Sequence, residues 1–308
     1  MTDAHDITIA IPYYQGLDYL RRAVQSVRLQ TASVQEIVLC DDSPDGEAAS
    51  VVALWPGRIR YFRNPQRLGI VGNWNRCLGE VKTPLAVLLN ADDMLMPDYA
   101  ATMLDAAERY PDATGIFCEA VTMNEQNRRI FSLADFTKRF LWPQGIRREQ
   151  RIEGEAGLKS LLRGDYIFCP SMCYRLAKLG SERFDVRWSQ VLDLDLFCRL
   201  ILAGHHWVGL RRKCFAFRRH PQSHTKMMEK DFTRFREEVA CTNVLSDKAE
   251  AQGWLKAAHV GRAHRLIKLH FLFELLGKLL HGNVTDARQM ARAYKLVFGV
   301  PSVAHPEI

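Results

Sequence analysis

The fold is decided by the stretch LAVLLNADDMLMP, residues 85–97. Its first five residues form an apolar run of the length that a strand buried on both faces takes, and the run stops at Asn90 and the acidic pair Asp92 and Asp93. Pro97 favours the first turn of a helix. Carboxylates at the end of a central strand lie where open α/β sheets bind ligands, and their oxygens suit a hard cation such as Mg²⁺ or Mn²⁺ that holds a phosphate. The alternative is a solvated turn that caps the helix.

The chain is long enough for one large domain, or for one domain with an appendage, and it is basic. It has 308 residues and a formal net charge of +7. The basic residues gather at Arg128–Arg151, Arg211–Lys230 and Lys256–Lys295. A basic surface suits phosphate-bearing substrates, anionic lipid or nucleic acid, and it does not choose among them.

Cysteine usage and the N-terminus bear on localisation. The eight cysteines are scattered singly without a CxxC pair, which predicts reduced core thiols and a cytoplasmic protein. Cys169 and Cys173 lack a second ligand pair, so zinc is not expected. The N-terminus is polar and has no signal-peptide core, and Leu269–Leu280 is too short and too charged to span a bilayer. We expect a cytoplasmic location that extends to the inner face of the cell membrane.

Strand-like and helix-like segments alternate in the first half of the chain. The predicted strands are Ile7–Ile11, Glu36–Cys40, Arg58–Phe62 and Leu85–Leu89, and the predicted helices between them are Leu17–Arg28 and Gly69–Glu80. This alternation predicts an α/β fold with a mostly parallel sheet flanked by helices. Acidic pairs follow two of the strands, at Asp41–Asp42 and Asp92–Asp93, which is the pattern of a nucleotide site.

The pattern loosens after residue 110. Further strands are predicted at Thr114–Met123, Ile167–Tyr174, Trp207–Leu210 and Cys214–Phe217, and helices at Gly157–Arg163 and Val191–Ala203. Residues 124–149 are polar, basic and irregular, which predicts a loop or hairpin near the site. From Lys226 onward the chain is predicted to be helical and basic.

Phosphate groups would need partners other than a glycine-rich loop. Neither GxGxxG nor GxxxxGK[ST] occurs, which argues against a Rossmann dehydrogenase and a P-loop NTPase. A metal and side chains would hold the phosphates instead. The candidate side chains are Arg67, Asn73, Arg76, Arg218, Arg219 and His220. For any single arginine the alternative is an ordinary surface charge.

Asp193 and Asp195 lie at the start of a predicted helix. Residues two apart do not share a helix face, so one carboxylate can face a cleft while the other caps the helix or pairs. A carboxylate facing a sugar site could accept a proton from an attacking hydroxyl. The alternative is that both acids complement the helix dipole.

Taken in chain order, these signals resemble the family 2 inverting glycosyltransferases with the GT-A fold. The resemblance is carried by six segments: Ile7–Tyr14; Glu36–Asp45; Asn64–Gly69 with Gly72–Arg76; Asn90–Asp93; Leu192–Leu196 with Arg199–Leu200; and Phe217–Thr225. It implies a Rossmann-like GT-A sheet and a metal-dependent inverting transfer of a sugar. The donor would be a nucleotide-diphosphate sugar, with UDP-sugar favoured, and the acceptor a hydroxyl in glycan or polysaccharide biosynthesis.

The resemblance also implies roles for individual residues. Asp193 would be the general base, and Asp93, Asp92 and His220 would hold Mg²⁺ or Mn²⁺. Pro12 and Tyr14 would border the base of the nucleotide, and Asp41 or Asp42 would hydrogen-bond the uracil. The full set of nucleotide-sugar contacts is Pro12, Tyr14, Asp41, Asp42, Arg67, Asn73, Arg76, Asp92, Arg219 and Ser223.

The chain departs from the family pattern at two acidic positions. Asn90 stands where the family's metal motif begins with an acid, and Leu192 replaces the acid that often precedes the catalytic aspartate. Asp195 therefore remains a reserve candidate for the base. These departures are the support for one alternative function, a catalytically degenerate nucleotide-sugar-binding protein. A sugar nucleotidyltransferase is the other, although residues 12–16 offer no lysine for its phosphate loop.

The resemblance divides the chain into a catalytic domain, residues 1–225, and a C-terminal helical extension, residues 226–308. In the extension, residues 264–280 place apolar side chains close to one helical face with basic residues around it, as in helices that lie on a membrane. The alternative is a helix packed on the catalytic domain or in a homodimer. The expected partners are the donor and a glycan or lipid-linked saccharide acceptor, and no nucleic acid.

Overall fold

The structure is a computed structural model that describes residues 6–142, 149–220 and 233–280, together with 294, 297 and 298. Within these ranges nine strands form one sheet. They are β1 (Ile7–Tyr13), β2 (Glu36–Asp41), β3 (Ile59–Arg63), β4 (Leu85–Leu88), β5 (Met94–Leu95), β6 (Gly115–Met123), β7 (Glu149–Ile152), β8 (Cys173–Arg175) and β9 (Trp207–Arg218). The helices are α1 (Leu17–Arg28), α2 (Ala49–Val52), α3 (Gly69–Glu80), α4 (Tyr99–Arg109), α5 (Leu133–Leu141), α6 (Gly154–Arg163), α7 (Leu176–Leu179), α8 (Leu192–Leu202), α9 (Thr233–Ala251), α10 (Leu255–Ala263) and α11 (Arg265–Leu280).

The sheet has a parallel half and a mixed half. The strand order is β3-β2-β1-β4-β8-β6-β9-β5, and β7 pairs with β9 off this path. The strands β1 to β4 pair in parallel, as strands joined by crossover helices do. Beyond β4 the pairs are antiparallel, except for β6 with β9. The α/β fold with a large sheet flanked by helices is confirmed, and its parallel half is the part in which strands and helices alternate along the sequence.

The strand β4 lies inside the sheet, between β1 and β8. All four of its residues are buried, because helices cover both faces of the sheet. Successive side chains therefore enter different cores. Ala86 and Leu88 join the core that includes residues of α3, α6 and α8, whereas Leu85 and Val87 join the core that includes residues of α1 and α4. Burial on both faces explains why the strand is a continuous apolar run.

The C-terminal helices share the first of these cores. Cys241, Leu245 and Ala249 of α9 and two alanines of α10 belong to the same buried cluster as β4 and α8. On α11, Ile267 and Phe271 pack in a smaller cluster with residues of α9. The helical character predicted for the C-terminal part is confirmed for residues 233–280, while the boundary between residues 225 and 226 stays a prediction. None of the described helices is both long enough and apolar enough to pass through a bilayer.

The region 124–149, predicted as a loop or hairpin, contains the helix α5. The Ser132 side chain caps this helix by accepting from the Asp135 N–H, with 3.3 Å between nitrogen and oxygen. The polar residues that suggested a loop are partly the helix's own anchors, because Asp135 and Lys138 face the rest of the protein. The preceding residues do form a turn, closed by the Asn124 N–H donating to the Arg128 carbonyl oxygen.

Other boundaries differ from the prediction as well, and three of them are informative. The two short strands predicted at 207–210 and 214–217 are one strand, β9, whose central Arg212 and Lys213 are exposed opposite a register shift in β6. The strand predicted at 167–174 is a 3₁₀ turn, Cys169–Ser171, followed by β8, because Pro170 has no N–H for a ladder. The helix predicted to open at Pro97 begins two residues later, at Tyr99.

Candidate active site

A cavity of about 520 Å³ lies at the carboxyl ends of β1, β2 and β3. Its lining includes three residues expected to contact the nucleotide, Tyr14, Asp42 and Arg67. The Arg67 guanidinium lies over the Tyr14 ring, 4.4 Å from its centre, which is a cation–π arrangement. These residues follow adjacent parallel strands in the sequence, and the structure brings them together.

The two acids after β2 have different surroundings. Asp41 is fully buried and accepts hydrogen bonds from the Ser43 N–H at 2.9 Å and the Tyr61 hydroxyl at 2.7 Å. Asp42 accepts from the Leu68 and Gly69 N–H groups, at 2.7 and 2.9 Å, so its charge sits at the N-terminus of α3, where the helix dipole favours an anion. Only Asp42 lines the cavity.

Asn73 and Arg76 do not line this cavity, unlike Arg67, the third predicted site residue of the Asn64–Arg76 segment. Asn73 is buried and donates to the carbonyl oxygens of Tyr13 and Cys40, at 3.3 and 3.0 Å, which ties α3 to the ends of β1 and β2. Arg76 pairs with Glu80 at 3.5 Å. Pro12 is half-buried within β1. Asn73 and Arg76 therefore have structural partners in addition to the nucleotide contacts predicted for them.

The acidic turn after β4 is held by β9. Asp93 is buried, and its Oδ1 accepts from the Arg218 N–H at 2.8 Å. Its Oδ2 is buried and has no partner among the described residues. Asp92 Oδ2 lies 2.9 Å from His220 Nε2. Burial and then the charge of Asp92 raise the pKa of the Asp93 carboxyl well above its usual range, so the site places two acids where a positive partner would be favoured.

Arg218 was proposed from the sequence only as one of several phosphate-binding cations, yet it organises this turn. Its guanidinium is buried and donates to the Asp92 carbonyl oxygen at 2.6 Å, to the Asn124 carbonyl oxygen at 2.9 Å and to Asn127 Oδ1 at 2.6 Å. One side chain thus connects the acidic turn to the turn after β6. Arg219 makes a two-point ion pair with Asp135 of α5, with both distances 2.7 Å.

The residues around the acidic turn fit a divalent cation that takes part of its coordination from substrate. No group of three or more His, Cys, Asp or Glu side chains converges in the part of the chain that the structure describes. Mg²⁺ is commonly bound by one or two carboxylates together with substrate phosphates, and the unpartnered Asp93 Oδ2 beside Asp92 matches that ligand count. Ser223, the remaining residue expected here, lies outside the described residues.

The two acids of α8 have different surroundings in the structure. Asp195 is buried and pairs with Arg199, 2.7 Å away, so its charge is neutralised locally. Asp193 accepts from the Leu194 N–H at 2.9 Å. Burial, followed by the nearby charge of Asp165, raises its pKa to about 7, against an opposing effect of Lys138. Asp193 therefore has the pKa that a general base near neutral pH needs, whereas Asp195 has a structural partner.

A row of contacts leads to the acidic turn from Lys138, whose charge lowers the pKa of Asp193. Lys138 Nζ lies over the Phe168 ring at 4.4 Å, and Phe168 packs on Phe217 with ring centres 5.2 Å apart. Phe217 precedes Arg218, which binds Asp93. Lys138 and Asp165 were not among the predicted site residues, because Lys138 lies in the segment 124–149 interpreted as a loop and Asp165 lies between a predicted helix and a predicted strand, where no periodicity places a side chain.

The glutamate Glu237 of α9 holds the segment that precedes α8. Its carboxylate accepts from the Ser189 N–H at 2.9 Å, the Ser189 hydroxyl at 2.6 Å and the Gln190 N–H at 2.7 Å. The C-terminal helices thus fix the start of the helix that carries Asp193. The sequence offered no signal for this contact, since Glu237 is one of many charged residues on a helical stretch.

Comparison with known proteins identifies the family. The model of glycosyl transferase family 2 matches residues 8–179, more than half of the chain. The chain therefore belongs to glycosyl transferase family 2, which confirms the resemblance drawn from its motifs. The matched part contains the cavity and the acidic turn, while Asp193 and His220 lie beyond it.

Two named relatives are succinoglycan biosynthesis proteins of Rhizobium meliloti. ExoO is 27% identical over 139 residues, which cover 43% of this chain and 39% of ExoO. ExoU is 24% identical over 217 residues, which cover 65% of this chain and 58% of ExoU. The chain thus spans less than two thirds of the length of either relative.

Among solved structures, the chain is similar to S. aureus TarS in complex with UDP-GlcNAc. The TM-score is 0.59 at 13% identity, and the match covers 79% of this chain and 66% of the TarS chain. A likeness at this identity concerns the fold, and it supports the GT-A assignment of the sheet and its flanking helices.

Proposed function

We propose that the protein is a glycosyltransferase that moves a sugar from a nucleotide-diphosphate sugar to an acceptor hydroxyl, with inversion at the anomeric carbon. The family membership supports this class of reaction. The observation that carries the proposal is the turn after β4, where Asp93 keeps a buried, unpartnered oxygen among the described residues while Asp92 meets His220. A cavity large enough for a nucleotide lies at the same edge of the sheet.

A nucleobase suits the cavity at the ends of β1 to β3. The Arg67 guanidinium lies over the Tyr14 ring, and a base can stack on an aromatic ring or on a guanidinium plane. Asp42 offers carboxylate oxygens, which accept more than one hydrogen bond each, for a ring N–H of the base. Uridine is the favoured nucleoside, in line with the UDP-GlcNAc that TarS binds.

Asp92 and Asp93 would hold a Mg²⁺ or Mn²⁺ ion, with His220 beside them. When bound, the cation neutralises the negative charge that develops on the departing diphosphate. The chain's own residues contribute the rest: Arg218 fixes the turn by binding the Asp92 carbonyl, and the Arg218 N–H orients the Asp93 carboxylate.

Asp193 acts as the general base in this proposal. Its carboxylate takes the proton of the acceptor hydroxyl while that oxygen forms a bond to the anomeric carbon. The bond between the anomeric carbon and the diphosphate oxygen breaks on the opposite face, and its electron pair leaves with the nucleoside diphosphate. A single displacement of this kind inverts the anomeric configuration.

The experiment that tests the proposal is thermal shift with UDP, GDP and dTDP, each with and without Mn²⁺. A ligand that binds only the native state raises the melting temperature. We expect one nucleotide class to stabilise the wild type only with Mn²⁺, and Asp93→Asn to lose this effect. The matched control is Asp98→Asn, which alters an exposed acid paired with Arg212. If no nucleotide shifts the wild type under any condition, the proposal fails.

A second measurement separates the base from the donor site. Asp193→Asn should keep the nucleotide-induced shift and lose about 10²- to 10⁴-fold in sugar transfer, the usual contribution of a general base. The control Asp105→Asn, at an exposed position of α4, should leave both unchanged. Retained transfer by Asp193→Asn would assign the base elsewhere.

A further inference from the structure

Six large apolar side chains of α11 are exposed along one side of the helix. They are Leu269, Leu272, Phe273, Leu276, Leu279 and Leu280, with exposed fractions from 47% to 85%. At 100° per residue they fall within an arc of about 120°. The side of the helix that carries Ile267 and Phe271 is buried against Phe235 and Val239 of α9. The helix is therefore packed on one side and apolar on another.

Three phenylalanines on and before α5 form a second exposed apolar group. Phe131, Phe136 and Phe140 are 74%, 40% and 69% exposed. Their rings contact one another in sequence, with centres 5.5 Å apart for the first pair and 5.2 Å for the second. Large aromatic side chains that pack against one another in solvent are unusual for a surface without a partner.

The two groups adjoin each other. Leu141 of α5 and Leu266 of α11 meet over Gly164, where their Cδ1 atoms lie 2.9 and 2.8 Å from the position that a Cβ would take. Phe273 is seven residues from Leu266 and so lies on nearly the same side of α11. We call the three phenylalanines and the six residues of α11 together the α5–α11 face.

Basic side chains border the α5–α11 face. Arg128 and Arg129 are exposed directly before Phe131, Arg163 donates to the Phe140 carbonyl oxygen at 3.4 Å, and Arg265 and Lys268 lie in the first turn of α11. The acidic residues on the segments 125–141 and 265–280 are Glu125, Asp135 and Glu274, and Asp135 is buried and paired with Arg219. The border is therefore predominantly positive, in a chain whose net charge is +7.

We propose that the α5–α11 face binds the surface of an anionic lipid bilayer, with its apolar side chains inserted at the level of the headgroups. An apolar helix face bordered by lysine and arginine is the composition of helices that lie in a membrane interface, and anionic headgroups attract basic residues near the surface. A second copy of the chain fits less well. A twofold interface would place the same face on both partners, and would bring the two basic borders together.

Bilayer binding would bring the site close to the membrane. The helix α5 is fixed to the site by the ion pair between Asp135 and Arg219. The positive charge of Lys138 on the same helix lowers the pKa of Asp193. An acceptor carried on a lipid would then reach Asp193 from the membrane side. This choice of a lipid-linked acceptor rests on the proposed function, whereas the binding of the bilayer does not.

The test is co-flotation of the full chain with vesicles of phosphatidylcholine, alone or mixed with phosphatidylglycerol. We expect the wild type to float with the mixed vesicles and to be released by salt. The double variant Phe273→Glu/Leu276→Glu, and separately Phe140→Glu, should lower the bound fraction roughly tenfold or more, since each removes buried apolar area. Leu54→Glu is the matched control, an exposed leucine of similar exposure (57%) outside the face.

Each other outcome overturns the proposal. If the wild type floats with neither kind of vesicle, the α5–α11 face does not bind a bilayer. If Leu54→Glu lowers the bound fraction as much as the variants of the face do, binding does not depend on the α5–α11 face. If sedimentation shows a dimer that Phe273→Glu/Leu276→Glu dissociates, without flotation, a second copy covers the face instead. The substituted side chains are exposed, so an unchanged melting temperature checks the fold, and Leu276→Gln repeats the test without added charge. The UDP-induced thermal shift is measured separately, so failure of bilayer binding and failure of the proposed function are distinguishable.

Discussion

Two aspartates of one helix show how strongly surroundings determine what a carboxyl group does. Asp195 has its charge matched by Arg199, while Asp193 is half-buried and has a pKa raised by desolvation and by the charge of Asp165. In the sequence the two residues are alike, because both are aspartates in the first turn of the same helix. The difference arises from residues that lie outside the helix and become neighbours only in the folded chain.

The raised pKa of Asp193 predicts a stability cost that depends on pH. Its pKa is about 7 in the folded state against a usual value of 3.8, so the folded state holds the proton more tightly. The cost is absent below pH 4, develops between pH 4 and 7, and is complete above pH 7. We expect Asp193→Asn to raise the free energy of unfolding by about 2 to 4 kcal/mol at pH 8, and by little at pH 4. Urea unfolding at the two pH values measures this, and an equal effect at both would contradict it.

Substitution of Asp165 and substitution of Lys138 should shift the pH dependence of sugar transfer in opposite directions. The base acts ionised, so sugar transfer should rise with pH through a limb near the Asp193 pKa of about 7. Asp165→Asn removes a negative charge and should move the limb to lower pH, while Lys138→Met removes a positive charge and should move it to higher pH. The pH profile of kcat/KM provides the measurement, with Glu108→Gln, at an exposed position, as control. Shifts of the same sign in both variants would exclude this arrangement.

At the scale of elements, close helix contacts depend on individual glycines. In α10, a Cβ at Gly261 would overlap with Ser246 Oγ of α9. Gly79, near the end of α3, has no atoms within 4 Å of the same position. We expect Gly261→Ala to lower the free energy of unfolding by about 1 to 3 kcal/mol through overpacking, and Gly79→Ala to raise it by about 0.5 to 1 kcal/mol through helix propensity. Thermal or urea unfolding of the pair tests both signs, and a stabilised Gly261→Ala would show that the two helices separate easily.

The contact between α9 and the start of α8 predicts an effect on catalysis at a distance. Glu237→Ala leaves the Ser189 and Gln190 donors without their acceptor, which should cost about 1 to 3 kcal/mol of unfolding free energy. Because α8 carries Asp193, kcat should fall while the KM for the donor stays near the wild-type value. Glu237→Gln keeps acceptor oxygen and should recover part of the loss. Glu108→Ala is the control, and a change in donor KM alone would show that Glu237 acts elsewhere.

At the scale of the whole molecule, the C-terminal helices complete the core of the catalytic part. Cys241 and Leu245 of α9 are fully buried in the cluster that contains β4 and α8. A chain that ends at residue 225 would expose this surface, so we expect it to aggregate or to bind hydrophobic dyes. A chain that ends at residue 264, and so lacks α11, should fold and remain monodisperse. Gel filtration and circular dichroism distinguish the two, and a well-folded 1–225 fragment would establish an independent catalytic domain.

The parallel half of the sheet could be predicted because its information is local. Apolar runs, helical spacing and the acids at strand ends lie within a few residues of one another, and parallel strands necessarily bring Tyr14, Asp42 and Asp92 to one edge. The rest depends on contacts between distant residues. Arg218 meets Asn127, and Arg219 meets Asp135, across more than 80 residues, and no spacing rule connects such pairs. The helix α5 was missed for the same reason, since Asp135 pairs with Arg219 and Lys138 donates to the Ile167 carbonyl oxygen.

The burial of every cysteine has a practical consequence for following this protein in solution. All eight are free and buried, and burial raises the pKa of several of the thiols, among them Cys77, Cys118 and Cys198. Thiolates are the reactive form, so the native chain should be nearly inert to maleimides. A single cysteine introduced at an exposed position, such as Phe140→Cys, would then carry a fluorophore without removal of any natural cysteine. The buried native cysteines should therefore not react with a label directed at the introduced cysteine.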